Sequence, residues 1–217
     1  MKRFLTAVVA AFFLLTTVAH AERVQIYDHS VNDILNDIKE TGEYMKKDNR
    51  FANVNLAIWG THYYTGTDGF RYCESHFGDS DKNCLIFRVN NNGVVSSAWI
   101  IIPVYTLAGE DNNDGNLIGG VSLWSILDVI GMSDDESDLV YNGLTNWCNA
   151  LSQKLDEADD ALNRNDDRLY EQKMNEVKRN FLKTFSVWCA KAKRYIDVQL
   201  SMNIDNATVQ FYIYAHI

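Results

Sequence analysis

From Leu144 to Ile217 the chain contains neither glycine nor proline, and the whole protein holds one proline, Pro103. Glycine and proline are the strongest local breakers of regular structure. A long stretch without either is free to run in extended elements. Residues 50–131, by contrast, are punctuated by glycines and asparagines. This asymmetry predicts a first half of strands and turns and a second half dominated by helix. No Pro/Gly/Ser-rich linker, internal repeat or low-complexity tract divides the chain, which predicts one domain.

The helical signal is periodic. Val140, Leu144, Trp147, Leu151, Leu155, Ala158 and Leu162 recur at steps of three and four, as do Tyr170, Met174, Val177, Phe181, Phe185, Trp188 and Ala192. Each set makes one apolar stripe on a helix. Asn163–Asp167 interrupts the pattern, so the natural reading is a helical hairpin, with one continuous helix as the alternative. Ser133 and Glu136 occupy the two positions of a capping box, and Ser30 with Asp33 repeats the device ahead of Val31, Ile34, Leu35 and Ile38. The first of these helices should end near Lys47. "SLWSILDVIG" (Ser122–Gly131) suits a short buried helix.

Strand signals fill the space between. Val54, Leu56, Ile58 and Tyr64 share a face at period two, and His62 continues that face. Thr67-Asp68-Gly69 marks a tight turn. "LIFRV" and "VVSSAWIIIPVY" flank Asn90–Gly93, whose Asn-Gly is a hairpin signal because both residues tolerate positive φ. Pro103 belongs at a strand end or edge. Val198, Leu200 and Met202 alternate against Val209, Phe211 and Ile213 across a turn at Asp205-Asn206. The fold class expected is α+β: an antiparallel β-meander packed against a long C-terminal α-helical hairpin, with an N-terminal helix and a C-terminal β-hairpin.

The first 21 residues carry Lys2 and Arg3, an apolar run from Phe4 to Ala19, and Ala19-His20-Ala21. This is the form of a secretory signal peptide. Residues 1–21 are therefore read as a signal and 22–217 as a single α+β domain, periplasmic or secreted, without membrane insertion after cleavage. The chain has 20 Lys+Arg against 29 Asp+Glu, a formal charge of −9. Losing Lys2 and Arg3 makes this 18 − 29 = −11. Such a surface repels nucleic acid and suits a basic protein partner.

In an oxidising compartment an even cysteine count predicts disulfides, and nearest-neighbour pairing gives Cys73–Cys84 and Cys148–Cys189. The first would close "CESHFGDSDKNC" into a displayed loop, with Glu74, His76, Phe77, Asp79 and Asp81 as candidate interaction residues beside the aromatic run Tyr63, Tyr64, Phe70 and Tyr72. Catalytic signatures are missing: there is no H-E-x-x-H, G-x-S-x-G, Walker loop or C-x-x-C. Asp79-x-Asp81-x-Asn83 and Glu110-x-Asn112-x-Asp114-Gly115 open like calcium loops but lack the closing carboxylate. The expectation is a non-enzymatic protein-binding protein of inhibitor or immunity type, acting on a basic partner with no cofactor or resident metal. His76 is the one residue of the loop able to overturn the last point. The alternatives are a hydrolase with a dispersed His/carboxylate site using His62 or His76, and a weak calcium or small-ligand binding module.

Overall fold

The computed structural model describes residues 26, 28, 30–47, 57–78, 80–103, 123–179, 181–203 and 208–217. The signal segment, Val54, Leu56, Asp79, the Glu110–Gly115 loop and the Asp205-Asn206 turn lie outside them.

The elements are α1 (Val31–Met45), β1 (Ile58–Thr65), β2 (Arg71–Phe77), β3 (Ser80–Val89), β4 (Val95–Pro103), α2 (residues 123–130), α3 (Asp134–Asn163), α4 (Asp167–Arg179), β5 (Leu182–Cys189), β6 (Arg194–Asn203) and β7 (Thr208–His216). The protein is mixed α+β. One seven-stranded sheet runs in the order β1-β2-β3-β4-β7-β6-β5, with every pairing antiparallel.

Local chemistry accounts for the helix starts. Ser30 and Asp33 form a complete capping box on α1, and Ser133 and Glu136 form one on α3. The Asn90 N–H donates to the Val94 carbonyl across the β3–β4 turn. Pro103, the last residue of β4, sits where a missing donor costs little. Val198, Leu200 and Met202 face Ile213, Phe211 and Val209 across the β6–β7 pair, and Phe211 then faces Ile100 of β4. The C-terminal strands thus continue the first four into one sheet.

Alternation divides the sheet into two faces. Cys73, Phe77, Leu85, Phe87, Ile100, Ile102, Ile196, Val198, Ile213 and Ala215 are buried in the same core as Val31, Ile34 and Ile38 of α1, Leu123, Ile126 and Leu127 of α2, and Val140 and Leu144 of α3. The intervening residues form an outward face.

Glu136 illustrates how α3 is tied to the sheet. Beyond its cap, its Oε1 accepts the Ala190 N–H at 2.9 Å, in the turn after β5. Burial works against its charge, but the N–H groups of Ala190 and Ser133 outweigh it and hold the carboxyl below its ordinary range. A lowered folded pKa gives stability that is present above the unfolded value and lost as pH falls through the folded one. Glu136→Ala should therefore cost about 1 kcal/mol at neutral pH. In urea melts across pH, the gap to wild type should narrow as pH falls below the ordinary glutamate range and the lowered carboxyl is protonated; a gap that persists in acid would show that the carboxylate charge is not what acts.

Three expectations are corrected. The second apolar stripe is not one helix: α4 ends at Arg179, and Leu182–Cys189 is the edge strand β5. Phe185, Val187 and Cys189 alternate toward the core there, and Thr, Phe, Val and Trp are strand-favouring types. The helical hairpin exists only through Arg179, joined across its arms by Lys173–Glu157 and Lys154–Glu176 ion pairs of 2.6 and 3.4 Å.

The disulfides are also overturned, and Cys73, Cys84 and Cys189 are free. Cys73 stands opposite Phe87, whereas Cys84 stands opposite His76. The two are therefore three positions out of register, about 10 Å along the strand, and on opposite faces. A disulfide needs Cα atoms within about 6.8 Å. As for Cys148–Cys189, the Ala190 contact fixes the end of β5 beside Glu136, and position 148 lies 12 residues further along α3, about 18 Å away.

The third correction concerns β1. Ile58 faces Phe77 and packs on the core, but His62 faces Glu74 and Tyr64 faces Tyr72 on the outward side. The register shifts between Trp59 and His62. This extra residue is a β-bulge, with Gly60 at φ +67, and it moves His62 and Tyr64 off the face of Ile58.

Candidate functional site

The outward face is built from alternate residues of all seven strands, and its chemistry is aromatic and polar. His62 stacks on Tyr64 (5.8 Å between ring centroids), Tyr64 on Tyr72 (5.5 Å), and Tyr72 meets Trp99 (6.1 Å). Trp99 stacks on Tyr212 (4.5 Å) and Tyr212 on Tyr214 (4.8 Å). The row crosses from β1 to β7 because period-two spacing puts these residues on one face, with Tyr72 of β2 meeting Trp99 of β4 over the intervening β3. Tyr72 is pinned within it, its hydroxyl donating to Asp68 at 2.6 Å. Burial first, then Asp68, pushes that phenol far above its ordinary range, so it stays a neutral donor.

The row ends at β1, an edge strand of the sheet among the described residues. Trp59, Tyr63, Tyr64 and Phe70, on β1 and its turn into β2, are 43, 44, 38 and 46% exposed. Arg71 lies over the Tyr63 ring and Arg88 over Phe70, at 4.6 and 3.3 Å from the centroids.

Beside the row, β2 and β3 gather a second cluster. Glu74 and His76 are two apart on one strand, and Cys84 is the cross-strand partner of His76. Their ligating atoms all lie within 4.8 Å of one another, each half-buried. Cys84 Sγ is 3.5 Å from His76 Nδ1 and 3.7 Å from the Asp81 carbonyl. The imidazole is held from two sides. The Trp59 ring lies 4.8 Å away, and a Cβ on Gly60 would sit 2.9 Å from His76 Cδ2. The bulge glycine therefore serves twice, in a left-handed conformation and in close approach to the ring. Burial, reinforced by the Glu74 and Asp81 carboxylates, pushes the Cys84 thiol up to about 11. Such a thiol is protonated at neutral pH and is not an activated nucleophile.

The residues of the anticipated interaction loop are thus redistributed. The segment is a β-hairpin, not a loop. Glu74 and His76 join the outward cluster, Asp81 is exposed on β3, and Phe77 is 1% exposed in the core. Asp81 and Asn83 are strand residues and Asn83 is buried, which removes the calcium-loop geometry at that position. His62 bonds the Gly60 carbonyl through Nδ1 (3.2 Å) and stands opposite Glu74 at the rim of the cluster.

Sequence reasoning missed Cys84 as a partner of His76, and it missed His216. His216 Nδ1 lies 3.4 Å from Asp197 Oδ2 and its ring stacks on Tyr195. Both pairings are cross-strand and have no local signature. A separate cleft of about 470 Å³ lies between α1, α2 and the β5–β6 turn, with Asp37, Glu40, Asp128 and Lys191 in its wall. Neither His62 nor His76 lines it. No described helix is long and apolar enough to cross a membrane.

The chain matches no protein-family model, no curated protein and no solved structure.

Proposed function

We propose that this is an exported, non-enzymatic binding protein that holds a basic protein partner against the β1 edge and the adjoining aromatic row, in the manner of an inhibitor or immunity protein. The observation that carries this reading is the concentration of exposed rings, Trp59, Tyr63, Tyr64 and Phe70, at one edge of the described sheet. Large rings supply contact area at low entropic cost and dominate interface energetics. An edge strand offers unpaired backbone groups for strand addition. The excess of 29 Asp+Glu over 20 Lys+Arg favours a cationic partner.

Affinity capture from an envelope extract tests this directly, comparing wild type with a Trp59→Ala/Tyr64→Ala variant. One basic protein should be recovered by wild type, released by raised salt, and reduced at least tenfold by the variant, the equivalent of about 1.4 kcal/mol. Equal recovery by both, or an acidic partner, would overturn the reading.

A further inference from the structure

We propose that Glu74, His76 and Cys84 form a three-ligand site for a borderline-soft divalent transition metal of the zinc class. The donor set argues the class. Thiolate, imidazole and carboxylate together suit zinc-like ions, whereas calcium and magnesium take oxygen donors.

The geometry argues the site. Metal–ligand lengths near 2.0–2.3 Å in tetrahedral arrangement put sulfur and nitrogen donors about 3.5 Å apart, and Cys84 Sγ to His76 Nδ1 is 3.5 Å. All three ligating atoms already fall within 4.8 Å, so rotation about the Glu74 side chain completes the set. The scaffold is strand-borne on two paired strands, which holds ligands more firmly than a loop would. Trp59 and Gly60 fix the imidazole before any ion arrives. Binding expels the Cys84 proton to solvent and leaves a thiolate on the ion. The thiolate and the Glu74 carboxylate then neutralise a dication. Three protein donors leave a fourth position for water or a partner's side chain.

Zinc and cobalt(II) ions are the probes, added to the reduced full chain. Equilibrium dialysis should find one zinc per chain, and cobalt should give a thiolate charge-transfer band. Cys84→Ser should abolish that band. His76→Gln and Glu74→Gln should each weaken zinc binding tenfold or more, and Asp81→Asn should leave it within about twofold. Each variant is first melted without metal, and a variant that is not folded is set aside. The wild-type chain supplies an independent arm: saturating zinc should protect Cys84, on the tryptic peptide Asn83–Arg88, from alkylation. No bound zinc, a charge-transfer band that survives Cys84→Ser, or full alkylation of Cys84 at saturating zinc would each overturn the site.

Discussion

Phe77→Ala should destabilise the protein by about 3–5 kcal/mol in urea unfolding, the range for removing a fully buried aromatic ring. Phe77 closes β2, faces Ile58 across the β1–β2 pair and is among the largest side chains removed from water. The loss combines the transfer energy of the ring with a cavity that the surrounding strands cannot collapse into. A displayed loop residue would cost less than 1 kcal/mol on the same substitution. A small loss would therefore contradict the β2–β3 hairpin and restore the loop. The effect should appear in the denaturation midpoint with the slope unchanged.

The second large effect has an unexpected sign. Gly143 lies mid-helix in α3, where alanine ordinarily gains about 1 kcal/mol. A Cβ at this position would stand 2.5 Å from both Cδ1 and Cε1 of Phe185 on β5. Overpacking of this kind typically costs about 1–3 kcal/mol, and with two ring atoms this close the cost outweighs the helix gain, so Gly143→Ala should lower stability by a net of up to about 2 kcal/mol. Were residues 182–192 helical, with no ring against Gly143, the same change would stabilise. Adding Phe185→Leu should recover part of the loss, because the two positions share one contact and their effects do not add. Additive losses would place Phe185 elsewhere.

These two residues mark where sequence reasoning succeeded and where it stopped. Signals contained within a few residues were readable. Ser30 with Asp33, Ser133 with Glu136, and the Asn90–Gly93 turn fix their geometry through nearest neighbours. The β6–β7 alternation also held, since its apolar positions oppose one another in the observed register. The stripe through Phe181, Phe185 and Trp188 misled because steps of three and four can be laid over a strand that alternates at Phe185, Val187 and Cys189. Strand-favouring Thr, Phe, Val and Trp in that segment were the available warning.

The site was less legible still. A single bulge at Gly60 decides which face His62 and Tyr64 join, and the lone glycine inside β1 was the one available signal of it. The Glu74, His76 and Cys84 cluster depends on the register between β2 and β3. "CESHFGDSDKNC" contains all three side chains, but only pairing shows that Cys73 faces away from them. The aromatic content was visible in composition. Its arrangement as a row from His62 to Tyr214 follows from the strand order, which brings β7 between β4 and β6.

The β2–β3 segment is an unbridged hairpin with its two cysteines on opposite faces, which leaves Cys84 on the side of Glu74 and His76. This arrangement is tested most directly by peptide mapping of the purified full chain, alkylated in denaturant without reduction so that buried Cys73 is also reached. Trypsin separates the two thiols, cutting after Lys82 to give Tyr72–Lys82 and Asn83–Arg88. The structure predicts that each peptide is recovered singly, with Cys73 and Cys84 alkylated. A covalently joined Tyr72–Lys82/Asn83–Arg88 species that collapses only on reduction would contradict the register, the two-faced sheet and the metal site together.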